Sequence, residues 1–178
     1  MQGNVPTSDQ IFRRTREIIM ETGRIRDVTT EFPGNTAAIR YARKLRKYHG
    51  PKRNWKPTVR WIYGKNKESM KEYGRRIFAT LGGGLWCTTG NINYWDGYDG
   101  EENLIVSNIT ASTDIMMLRK ITDRYECILS TRSGPVQGLF RNIILLSSKP
   151  PAQCYAREEH GLVDGLLRRI DNIEHFEE

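Results

Sequence analysis

Val59-Arg60-Trp61-Ile62-Tyr63-Gly64-Lys65-Asn66-Lys67-Glu68-Ser69-Met70-Lys71 is a short apolar run that ends at a glycine and passes into a helix-like stretch, Lys67 to Thr80. A strand that ends in glycine and feeds a helix is the setting of a phosphate loop. Such a loop needs small residues, so that backbone N–H groups can point at phosphates, a Lys for the outer phosphates, and a Ser or Thr for magnesium. By itself this stretch is a poor match. Further along, Leu104 to Val106, Cys127 to Leu129 and Ile143 to Leu146 are short apolar runs of strand character, and Thr113 to Tyr125 is helix-like. Strands alternating with helices predict a mainly parallel sheet with helices on both sides, a three-layer α/β core.

Upstream, Thr7 and Gln10 form a capping box, in which the Thr7 hydroxyl accepts an early helix N–H and Gln10 reaches back. Ile11, Phe12, Ile18 and Ile19 share a helical face, and Gly23 is a C-terminal stop. A second helix starts near Asn35, places Ala38, Tyr41, Ala42, Leu45 and Tyr48 on one face, and ends at Gly50-Pro51. Pro51 to Pro57 reads as a linker. Downstream, Leu162, Val163, Leu166, Leu167, Ile170 and Ile173 have helical spacing and predict a packing helix. The expected divisions are a basic helical unit over 1–53, a core over 54–155 and a C-terminal helix over 156–178.

The 178 residues carry a net charge of +7, and the placement of that charge is uneven. Between Phe32 and Lys67 there is no Asp or Glu, while Arg40, Arg43, Lys44, Arg46, Lys47, Lys52, Arg53, Lys56, Arg60, Lys65 and Lys67 all fall there. Such a block repels itself unless an anion lies against it, which points to a phosphate-backbone surface. No stretch approaches the roughly 18 apolar residues of a membrane span, and the polar start carries no secretory signal. Cys87, Cys127 and Cys154 are scattered free thiols by spacing, suited to a reducing compartment. His49, His160 and His175 form no metal-binding pair, so no metal site is expected. Asn108-Ile109-Thr110 is a glycosylation sequon by chance, since the chain is not expected to be secreted.

Tyr94-Trp95-Asp96-Gly97-Tyr98-Asp99-Gly100-Glu101-Glu102, a hydrophobic strand, Asp123-Arg124-Tyr125, Ser130-Thr131-Arg132-Ser133-Gly134 and Ile143-Ile144-Leu145-Leu146-Ser147-Ser148-Lys149-Pro150 follow one another in order. This succession resembles the superfamily 3 helicase domain of replication-initiator (Rep) proteins of circoviruses and related circular single-stranded DNA viruses. The likeness covers roughly Asn54 to Tyr155, and more weakly the N-terminal helices. It implies a P-loop, AAA+-like core that uses ATP and magnesium and assembles as a ring around single-stranded DNA.

The departures from that pattern bear on chemistry. With the loop aligned on Gly64, the family's later loop glycines fall at Lys67 and Ser69, its phosphate-binding lysine at Met70, and its magnesium-binding Ser or Thr at Lys71. The acidic pair falls at Ser107 and Asn108, and the polar sensor position at Ser148. Gly64, Lys65, Lys67 and Ser69 are then a vestigial nucleotide loop. Arg132 stands where the family carries a basic DNA-contacting hairpin residue. Tyr41-Ala42-Arg43-Lys44 matches the family's nuclease string, but on an amphipathic helix without metal-binding histidines it is no nucleophile.

The leading expectation is a helicase-derived chain of viral origin that binds single-stranded DNA without ATP hydrolysis and takes no cofactor. The DNA contacts would be Arg40, Arg43, Lys44, Lys47 and Arg132. The alternatives are an active helicase in which Lys65, Lys67 or Lys71 replaces the missing lysine, and a non-catalytic protein-interaction subunit. The expected partners are single-stranded DNA and a homo-oligomeric ring or Rep subunits, with no membrane, in the nucleus or cytoplasm of a host cell.

Overall fold

A computed structural model describes residues 5–177; the polar start over 1–4 lies outside the described residues. Three helices come first. α1 (Ser8–Thr22) begins at the predicted Thr7–Gln10 capping box and ends at Gly23 in the left-handed region. α3 (Thr36–His49) is capped by the Asn35 side chain. Between them lies α2 (Ile25–Glu31), which the sequence did not announce. Ile18, Ile19, Val28, Ala38, Ala42 and Leu45 bury one another between the three.

The core is a five-stranded sheet built from β1 (Thr58–Tyr63), β2 (Leu85–Thr89), β3 (Asn103–Ile109), β6 (Asn142–Ser147) and β7 (Asn172–His175). Its order is β2-β3-β6-β1-β7 and every pairing is parallel. Parallel strands need crossovers, and these cover both faces. On one face α4 (Lys67–Phe78) packs Met70 and Phe78 against Ile62, Ile105, Ile144 and Leu146. On the other, Val59, Trp61, Leu104, Val106, Ile143 and Leu145 meet α5 (Ile115–Thr122) and α7 (His160–Leu167). The alternation of adjacent residues between the faces is the period of two expected of a strand. The chain is therefore the expected three-layer α/β core.

Three expectations are corrected. The run from Cys127 gives β4 (Ile128–Thr131), which joins no parallel sheet; it pairs antiparallel with β5 (Gly134–Gln137) as a separate hairpin. The tail is not one helix. It is α7 followed by β7, because Asp171 turns the chain by accepting from the Val59 N–H at 2.8 Å and sets the next residues beside β1. A short α6 (Pro151–Cys154) precedes it. The stretch from Pro51 to Pro57 has no regular structure but is fixed to the core, since the Trp55 indole donates to the Phe140 carbonyl at 3.0 Å.

The Trp95 to Glu102 string clasps these parts together. Gly97 (φ 90°) and Gly100 (φ 85°) make its two turns, where a side chain would be strained. Trp95 is fully buried, and Tyr98 donates to the Glu101 carbonyl while accepting from the Leu139 N–H. Asp96 accepts from the Arg132 N–H of the hairpin turn at 2.6 Å. Asp99 accepts from the N–H groups of Ile25 and Arg26, at 3.1 and 2.9 Å, and pairs with Arg26 and Arg46. It thereby caps α2, whose own N-cap, Arg24, supplies no side-chain cap.

Candidate nucleic-acid interface and neighbouring cleft

The cleft lies at the carboxyl ends of β1, β3 and β6, where open parallel sheets take ligands. Its volume is about 300 Å³, and Lys67, Met70, Lys71, Ser107, Asn108 and Ser148 all line it. The structure thus brings together six of the residues singled out by sequence. Gly64, Lys65 and Ser69 do not line it.

The stretch read as a phosphate loop is largely helix. Only Gly64, Lys65 and Asn66 separate β1 from α4, and Asn66 caps the helix by accepting from the Ser69 N–H at 3.1 Å. The helix-leading residue is Lys67, which donates to Asn108 Oδ1 at 2.7 Å. Met70, the presumed lysine position, is 1% exposed and belongs to the apolar cluster under α4. Gly64 is required by a different neighbour: a Cβ there would stand 2.7 Å from the Phe176 carbonyl of the C-terminal segment. Asn108 adopts φ 57° where β3 shifts register between Val106 and Ile109. The Ser107 hydroxyl is engaged with the Thr88 carbonyl at 3.1 Å. Glu68 is the one carboxylate among the lining residues.

From Arg40 to Lys56 the acid-free run sorts into two sets. Arg46 pairs with Asp99, Lys52 with Glu126 at 3.1 Å, and Lys56 with Asp171 at 2.7 Å. Arg53 is 2% exposed and donates to the carbonyls of Lys120, Ile121 and Tyr125, completing the end of α5. Burial pulls its pKa below the ordinary guanidinium value, with the nearby Cys127 thiol and Asp123 opposing. By contrast Arg40, Arg43, Lys44 and Lys47 are exposed on α3, and their side chains have no ion pair or hydrogen bond among the described residues.

Arg43, Lys44 and Lys47, with Tyr48, form one wall of a groove of about 400 Å³; Ser133, Gly134, Pro135 and Val136 of the hairpin form the other. Tyr48 departs from the expected apolar face and is 60% exposed, because the buried face of α3 ends at Leu45. Lys47 Nζ lies 5.0 Å from its ring centre. Arg132 is 94% exposed at the hairpin turn and is paired with Asp96 at 3.1 Å. Tyr41 is packed edge-on against Phe12 at 5.1 Å, inside the helical unit. Trp61 is fully buried, and Trp55 is covered by the Arg141 guanidinium at 4.1 Å, so neither tryptophan is a free stacking platform.

This chain is similar to circovirus replication-associated proteins. It is 29% identical over 164 residues to that of Porcine circovirus 1, covering 88% of this chain and 50% of the relative. It is 30% identical over 122 residues to that of Porcine circovirus 2, covering 68% and 38%. The chain spans half or less of the length of these relatives. No family model matches it. Among solved structures it is similar to the S. cerevisiae Hsp104-ADP complex, with TM-score 0.44, 14% identity and coverage of 96% and 37%. It is also similar to a full-length MCM homolog from Methanopyrus kandleri, with TM-score 0.43, 13% identity and coverage of 98% and 42%.

Tyr48, Pro135 and Val136 are groove residues that sequence reasoning did not single out. The signal for Tyr48 was its place in the last turn of α3, past the last apolar contact. The sequence marks the hairpin through Ser130 to Gly134, but no local signal sets it opposite α3; Asp96 and Trp95, far from both in sequence, hold it.

Proposed function

We propose that this chain is a helicase-derived, Rep-like protein of viral origin that binds single-stranded nucleic acid and does not hydrolyse ATP. The observation that carries the reading is the set of four exposed cations on α3 that have no ion pair among the described residues, whereas Arg46, Lys52, Arg53 and Lys56 of the same basic run are engaged with acids or helix-end carbonyls. Unneutralised Lys and Arg on one face are the electrostatic footprint of phosphate contact. The cleft does not fit a magnesium-bound triphosphate. A three-residue loop closed over by Phe176 leaves little backbone to cradle phosphates. The end of β3 offers a hydroxyl and an amide that are already engaged, where a magnesium site needs carboxylate. Each missing preorganised contact costs on the order of 10²–10³ in rate. Assembly into a ring, with itself or with active Rep subunits, is part of the same proposal. The test is affinity for a single-stranded oligonucleotide across a salt series, run beside phosphate release. Binding that falls steeply with salt and turnover at background support the reading; absence of binding at low salt overturns it.

One observation favours a second reading, an active ATPase. Lys67 leads α4 and reaches into the cleft with Lys71, so the charge lost at Met70 has a substitute three residues earlier. DNA-stimulated phosphate release that Lys67→Ala abolishes would establish it.

A further inference from the structure

We propose that the groove between α3 and the β4–β5 hairpin seats one unpaired strand, with Tyr48 stacked on a base and Arg43, Lys44 and Lys47 on the flanking phosphates. This deepens the nucleic-acid reading above and rests on it. Four features of the groove point to such a ligand.

The first is charge without competition. The lining contains no carboxylate, and its one paired cation, Arg46, is turned to Asp99, so an entering phosphate meets cations alone. The second is the exposed ring. A tyrosine 60% exposed among cations buries no apolar partner, and Lys47 at 5.0 Å from its centre restricts it. A strand-tracking groove with an aromatic platform is the arrangement that holds unpaired bases without reading sequence.

The third feature is spacing. Arg43 and Lys47 are four residues apart on one helix, roughly 6 Å along its axis, comparable to the step between neighbouring phosphates of an extended strand. The fourth is preorganisation. The hairpin wall is already fixed, because Asp96 accepts from the Arg132 N–H at 2.6 Å and the Trp95 N–H donates to Ser130 at 3.3 Å. That wall, Ser133-Gly134-Pro135, is small and uncharged, so it bounds a slot without filling it. A duplex presents no free base face to Tyr48, which is why the geometry selects a single strand.

The experiment uses the full chain and a short single-stranded oligonucleotide carrying 2-aminopurine, whose fluorescence is quenched by stacking. Wild type and Tyr48→Phe are expected to quench it. Tyr48→Ala is expected to lose the quench and weaken binding on the order of 5- to 100-fold. Ser133→Glu, which places an anion on the uncharged wall, is expected to weaken binding without affecting thermal unfolding. If wild type binds in a salt-dependent manner but Tyr48→Ala and Ser133→Glu bind and quench unchanged, the groove assignment falls while the nucleic-acid reading stands. If wild type fails to bind at low salt, that reading falls first. Equal affinity for the matching duplex, or equal competition by polyglutamate, overturns the single-strand assignment.

Discussion

The outer face of α3 and the stretch from Lys52 to Lys56 carry cations at similar density, yet they end in opposite states. On α3, Arg43, Lys44 and Lys47 reach solvent and the groove. Past the helix, Lys52 meets Glu126, Arg53 enters the core and Lys56 meets Asp171. The partners lie far along the chain: Ile121 is 68 residues from Arg53, and Asp171 is 115 from Lys56. A run of like charge in sequence therefore says that anions or dipoles are needed, not where they come from. What separates the two sets is whether the fold brings acids and helix ends to them.

The sharpest way to break that comparison is to remove one cation of each kind. Arg53→Met leaves the carbonyls of Lys120, Ile121 and Tyr125, at and just past the end of α5, without their donor, the Ile121 carbonyl in a buried site. The expected loss is about 3 kcal/mol, read by denaturant unfolding. Arg43→Ala is expected to stay within about 0.5 kcal/mol of wild type. Equal losses would mean that α3 is held by contacts of its own charges. A smaller but related effect belongs to Asp99, which caps α2 and pairs with Arg26 and Arg46. Asp99→Ala is expected to cost about 2 kcal/mol and to loosen the helical unit from the core, seen as faster amide exchange in α2 than in β6.

The layers of the core were legible because their residues repeat with the period of the element. β1, β3, β6, α1, α3 and α4 announce themselves through Val59 to Tyr63, Leu104 to Val106, Ile143 to Leu146, the Thr7 cap, the Asn35 cap and Lys67 to Thr80. α2 did not, because its cap is Asp99, 74 residues from Ile25. β7 did not, because an edge strand paired only to β1 can be Asn-Ile-Glu-His, polar and largely exposed. The cleft residues were found as a set, but the early start of α4 was not foreseen: the Asn66 cap begins the helix at Lys67, inside the stretch read as a phosphate loop. The groove was half legible. Its cations stood out, whereas the exposure of Tyr48 depends on where the apolar contacts of α3 stop, and the position of the hairpin wall depends on Asp96 and Trp95.

Salt titration sharpens the same contrast on the binding side. Arg43→Ala and Lys47→Ala are each expected to lower the slope of log affinity against log salt by roughly 0.7 for a single strand. Lys52→Ala and Lys56→Ala remove charges already matched by Glu126 and Asp171, and are expected to leave the slope unchanged. A common drop for all four variants would mean that the ion pairs open when nucleic acid arrives.

The smallest effect expected is in acid, and it again divides the paired region from the free one. Asp123 accepts from Arg169 at 3.1 Å and from the Arg124 N–H at 2.7 Å; Asp171 accepts from Lys56 at 2.7 Å and the Val59 N–H at 2.8 Å. Burial alone would push both carboxyls up, but these partners outweigh it and hold both below the usual aspartate range. A carboxyl whose pKa is lower in the folded chain than the unfolded value of about 3.9 stabilises the fold above that value. That contribution is lost as pH falls through the folded pKa. Stability contributed by this pair should thus be level from neutral pH to about 5 and fall below about 4. Asp123→Asn should flatten that decline more than Asp171→Asn, because the Asp171 side chain is 46% exposed against 26% for Asp123 and is better screened. Arg43→Ala, with no carboxylate partner, should leave the acid profile unchanged. Urea midpoints measured from pH 7 to 3 decide it: a profile altered by Arg43→Ala but not by Asp123→Asn would reverse the assignment of paired and free charge.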